Sequence, residues 1–133
     1  MQNGSTLRAE TRTISIAASP SAVYAFLADP YNLPRWAPDF ASAVRPSGTD
    51  WLVDQGSAEV AITVRVSPEH GTIDLLAAAN HSRGAFTRVV PNGEGSEYLF
   101  TLFFAAETGE AAVEKQMTVV EEELRTIRAS CEG

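Results

Sequence analysis

From Gly109 to Ser130 the residues Val113, Met117, Val120, Leu124, Ile127 and Cys131 recur at spacings of four, three, four, three and four, the repeat of a single face of an α-helix. A helix with one apolar stripe needs an apolar surface of similar length to lie on. Thr108 is placed to cap its start, with Glu110 in the first turn. The segment before it supplies the surface. Strand texture runs through Ala41–Pro46, Trp51–Gln55, Ser57–Val66, Thr72–Ala78, Gly84–Val90 and Ser96–Ala106, separated by turn sequences such as Ser67-Pro68-Glu69-His70-Gly71 and Pro91-Asn92-Gly93-Glu94-Gly95. Links this short predict an antiparallel meander. Ala58, Val60, Ile62, Val64 and Val66 alternate with Ser57, Glu59, Thr63 and Arg65, so the sheet should have one face toward the helix and one toward water.

The N-terminal part adds a strand and two helical pieces. Thr11–Ala18 alternates Ile14 and Ile16 with Thr13 and Ser15. Ser19-Pro20 then suits a helix start, Val23, Phe26 and Leu27 share one helical face, and Asp29-Pro30 stops it. The three prolines of Pro30–Pro38 allow only short turns there, around Tyr31 and Trp36, with Phe40 just beyond. The expected fold is α+β: a curved antiparallel sheet of about seven strands around a long C-terminal helix, with two short helices after the first strand.

Composition narrows the function. At 133 residues the chain suits one domain over residues 11–133, preceded by an extended or disordered tail over residues 1–10. The formal charge is −7 and the arginines are scattered, which disfavours nucleic acid. No apolar run is long enough for a membrane span, and residues 1–10 carry no apolar signal core, so a cytoplasmic location is expected. His70, His81 and Cys131 have no metal-ligand spacing, and Glu121-Glu122-Glu123 reads as a solvated helix face; neither metal nor cofactor is expected.

The stretch Ser19–Trp36, with its Ser-Pro helix start, Val23-x-x-Phe26-Leu27 face, Asp29-Pro30 stop and Leu33-Pro34-x-Trp36 turn, resembles the START-like helix-grip superfamily of polyketide cyclases and dehydrases, plant pathogenesis-related proteins and lipid-transfer domains. The element order agrees with it over nearly everything after residue 10. The resemblance implies an elongated cavity between sheet and C-terminal helix that takes lipids, hormones or polyketide-like molecules. It carries no catalytic set, because enzymes of this superfamily place their acids and bases differently, and the catalytic residues stay unassigned.

Candidate lining residues therefore come from pattern. On the sheet they are Val60, Ile62, Val64, Phe86, Tyr98 and Phe100; on the helix they are Val113, Met117 and Val120; Trp36 and Phe40 stand at the expected mouth. If Phe86 points inward, so does Arg88, which with His81 would offer polar contacts to a ligand oxygen. Tyr98, Phe100, Leu102 and Phe104 share one face of the last strand while Leu99 and Phe103 take the other, which also allows a homodimer. Three readings stay open: a binder of a small apolar molecule, a cyclase or dehydratase, and a partner-binding module of co-chaperone or toxin-like kind.

Overall fold

The computed structural model describes residues 6–133. The first half of the expected tail, residues 1–5, lies outside the described residues. The strand expected from Thr11 already begins at Arg8. In order come β1 (Arg8–Ile16), α1 (Pro20–Ala28), a 3-10 turn (Pro30–Asn32), α2 (Leu33–Trp36), β2 (Ala43–Ser47), β3 (Asp50–Asp54), β4 (Glu59–Ser67), β5 (Thr72–Ala77), β6 (Asn80–Asn92), β7 (Gly95–Phe104) and α3 (Glu110–Glu132). All seven strands form one antiparallel sheet in the order β1-β7-β6-β5-β4-β3-β2. The chain leaves the β1 edge, crosses through α1 and α2 to the β2 edge, and returns by hairpins until β7 closes against β1. This is the helix-grip fold expected above.

Local chemistry sets the crossing. The Ser19 hydroxyl accepts from the Ala22 N–H at 3.2 Å, and Pro20 opens α1. Asp29 is forced extended before Pro30, and its carboxylate accepts from the Tyr31 N–H at 3.0 Å to start the next turn. At α3 the cap is Gly109 rather than Thr108, without a side-chain bond. Thr108 is instead held in a turn, its N–H donating to the Ala105 carbonyl at 3.0 Å.

The stripe of α3 is buried as its spacing requires: Val113, Met117, Val120, Leu124 and Ile127 are each at most 2% exposed. Three ties hold α3 along β1. Arg8 pairs with Glu110 at 2.8 Å, Arg12 with Glu121 at 2.9 Å, and the Ala17 N–H donates to the Glu132 carboxylate at 2.8 Å. These ties also set level: Arg8 is in register with Phe104 and Arg12 with Phe100. Met117, between Glu110 and Glu121, therefore stands near the level of Leu102.

Strand register decides which residues share a face. Val66, Ile73, Thr87, Phe100 and Arg12 form one row across the concave face; Arg65, Asp74, Phe86, Thr101 and Thr11 form a row on the outer one. Two expectations are thereby corrected. Phe86 and Arg88 point outward, because Ala85, Thr87 and Val89 take the inward positions of β6. A buried threonine was hidden in the pattern; its hydroxyl donates to the Ile73 carbonyl at 2.5 Å, so its burial costs little. Phe86 stacks edge-on against Phe103 at 5.6 Å, and the Arg88 Nε donates to the His70 carbonyl at 3.1 Å. His81 is exposed, with its Nε2 2.9 Å from the Thr63 hydroxyl on the outer face. Val66, at the end of its row, is 45% exposed rather than core.

Between β5 and β6 the register shifts at Leu76/Ala77, and opposite the shift sits Gly84 with φ +141°. A Cβ there would lie 2.2 Å from the Leu75 carbonyl oxygen and 2.8 Å from the Leu76 Cα. Gly84→Ala should destabilise the fold by about 2–3 kcal/mol in urea titration. Gly93→Ala, at φ +58° with open space around it, should cost only about 1 kcal/mol, from backbone strain alone. Equal effects at the two positions would show that the close approach at Gly84 is unimportant.

Candidate functional site

The concave face and α3 enclose an interior to which Trp36, Ile62, Tyr98, Phe100, Val113, Met117 and Val120 contribute as buried members of one cluster. Phe40, Val60 and Val64 pack against that cluster while staying half-buried. His81, Phe86 and Arg88 are not part of it. The candidate lining leaves out Leu75, and also Leu102 and Phe104, which the pattern places on the face of Tyr98 and Phe100; all three pack on the core and remain half-buried. Val64, Leu75 and Ala85 are in register across β4, β5 and β6. Apolar side chains on the concave side of the central strands thus keep access to solvent, whereas the β1 side is tied to α3.

Beside the buried hydroxyls of Thr87 and Ser96, which bond to backbone carbonyls, three further polar groups border this apolar interior. Trp36 is 3% exposed, and its indole N–H has no hydrogen-bond partner among the described residues. Tyr98 is 1% exposed. Burial pushes its phenol well above the usual range, the Thr87 hydroxyl offsetting a part and the charge of Glu123 adding to the rise. Glu123 corrects a further expectation, since it is half-buried beside the stripe rather than fully solvated. Burial, and then the charge of Asp39, raise its carboxyl to about 7. Asp39 lies three residues beyond Trp36, and α2 packs against α3. Glu121, by contrast, is paired with Arg12, and Glu122 with Arg125 at 2.6 Å. One apolar-facing position within an acidic triplet is invisible in composition, but its place one residue before Leu124 in the stripe would have put it at the stripe's border.

Residues 10–132 match the family model described as polyketide cyclase / dehydrase and lipid transport. The chain belongs to this family. Solved structures agree on the family's fold at low identity. The solution structure of the Aha1 dimer from Colwellia psychrerythraea has a TM-score of 0.73 at 16% identity, covering 95% of this chain and 97% of that one. The protein XoxI from Bacillus cereus has a TM-score of 0.73 at 14% identity, over 94% and 96%. A START superfamily protein from Mycobacterium smegmatis has a TM-score of 0.70 at 13% identity, over 93% and 97%. No curated protein matches the chain.

Two surface clefts lie away from the interior of this polyketide cyclase / dehydrase family member. One, of about 590 Å³, is lined by residues including Ser15, Ala17, Asn92, Arg128 and Glu132; the other, of about 420 Å³, by Tyr24, Pro68, His70, Arg88 and Pro91 among others. Among the described residues no three His, Cys, Asp or Glu side chains are grouped to hold a metal ion, and no helix is long and apolar enough to cross a membrane. Chemically, the interior offers apolar contact, one donor at Trp36 that is free among the described residues, and two groups, Tyr98 and Glu123, whose charged forms burial disfavours.

Proposed function

We propose that the protein binds a small, mainly apolar molecule of lipid, aromatic or polyketide-like character between the concave sheet face and α3. The observation that carries this reading is the set of inward-facing apolar side chains, Val60, Val64, Leu75, Leu102 and Phe104, that remain half-buried beside a family-typical helix. Inward apolar surface left in contact with water is surface a ligand would dehydrate, at roughly 25 cal/mol per Å². Met117, at the level of Leu102, lends the adaptability of an unbranched thioether to the lining. A cyclase or dehydratase is the second reading, favoured by the shared interior of Glu123 and Tyr98, which such an enzyme would use to move a proton. Recovery of a bound compound unchanged, rather than converted, separates the two by mass spectrometry.

Titration with anilinonaphthalene sulfonate should show saturable binding with enhanced probe emission. Met117→Trp should fill the space and weaken binding at least about tenfold with little loss of stability. The reading fails if the wild type binds no probe saturably and Met117→Trp destabilises the fold by the ~1–3 kcal/mol of an overpacked core.

A further inference from the structure

Three observations converge at the middle of α3. The indole N–H of Trp36 is buried without an acceptor, in a cluster that also contains Val120 and Leu124. Glu123 lies between those two residues in sequence and feels the charge of Asp39, which follows Trp36 by three positions. Glu123 also acts on Tyr98 across the interior, consistent with its level: Glu121 is tied to Arg12, and the next inward residue of β1, Ile14, is in register with Tyr98. Toward the N-terminus of α3 the stripe continues with Met117 and Val113, without a polar group. Along α3 the lining is thus polar at Glu123 and apolar toward Val113.

We propose that Trp36 and Glu123 form the polar stop of the binding site, and that its ligand carries a carbonyl oxygen at one end of an apolar body. This rests on the binding reading above. An unpartnered buried donor costs about 1–3 kcal/mol, which an acceptor oxygen on the ligand would recover. A carbonyl fits better than a carboxylate, because Glu123 and Asp39 already place acidic groups there and a third anion would be repelled. A carbonyl oxygen has two lone pairs, one for the Trp36 N–H and one for the protonated Glu123 carboxyl. The apolar body then extends along Val120, Met117 and Val113.

The test uses two probes of matched shape, acetylnaphthalene and ethylnaphthalene, at mildly acidic pH. The wild type should bind the ketone at least about tenfold more tightly than the hydrocarbon, the equivalent of one recovered hydrogen bond. In the NMR spectrum the Trp36 indole proton should move downfield with the ketone and stay nearly in place with the hydrocarbon. Trp36→Phe should lower the ketone preference while leaving the hydrocarbon's affinity unchanged, and the remainder should be lost when Glu123 is changed as well. The indole shift in the wild type and Glu123→Ala, which should also lower the ketone preference, keep the test open if Trp36→Phe folds poorly. Equal binding of both probes with an unmoved indole resonance overturns the polar stop and leaves the apolar site standing. Binding of neither probe overturns the apolar site itself.

Discussion

Leu124→Asp should lower the unfolding free energy by about 4 kcal/mol or more, because it replaces a side chain 2% exposed in the α3 stripe with a carboxylate that the apolar core would strip of water. For a chain of this size that is a loss of roughly 2 M in the urea midpoint, or outright unfolding at room temperature. Position and not charge is the cause, so Arg125→Asp on the exposed side of the same helix should fall within about 1 kcal/mol of the wild type. A Leu124→Asp protein that melts close to wild type would show that the stripe does not bear on the sheet.

The second large effect is a dependence of stability on pH through Glu123. Its folded-state carboxyl titrates at about 7 against 4.5 when unexposed to the fold, so the folded state holds its proton more tightly than the unfolded state. A raised value means the stabilisation is complete below pH 4.5 and is lost as pH rises through 7. Between about pH 5.5 and about pH 8.5 the wild type should therefore lose roughly 2 kcal/mol. The carboxylates of Glu10, Glu97 and Glu110 are all lowered by their partners, so their contribution disappears only on the acid side, below the ordinary carboxylate range. Glu123→Gln, which cannot ionise, should flatten the neutral limb of the profile in urea titrations at a series of pH values. A wild-type profile already flat between those pH values would place Glu123 in water.

Much of the fold was legible because two periodicities do not resemble each other. The spacing from Val113 to Ile127 admits only a helix face, and Val60 to Val64 only a strand face, so element order and type followed. The Ser19-Pro20 start and Asp29-Pro30 stop were readable for a local reason, since proline restricts its own residue and the one before it. The site was less legible. Along Ala85-Phe86-Thr87-Arg88-Val89 hydrophobicity favours Phe86 inside, but strand alternation with Val89 buried requires Thr87 there, and a hydrogen bond to a neighbouring strand makes that tolerable. A bond made across strands leaves no mark in sequence. The same holds for Glu123, whose carboxyl is raised by burial and then by the charge of Asp39, distant in the chain.

The three ties between α3 and β1 have a mechanical consequence. All of them run along one long side of the helix, at Arg8, Arg12 and Ala17, while elsewhere the helix packs on α1 and α2. A small rotation of α3 about β1 would add volume over the central strands and leave the sheet's own hydrogen bonds in place. Two of the fasteners are ion pairs at or near the surface, which salt screens. Raising the ionic strength should therefore loosen these two ties while the apolar stripe keeps its place.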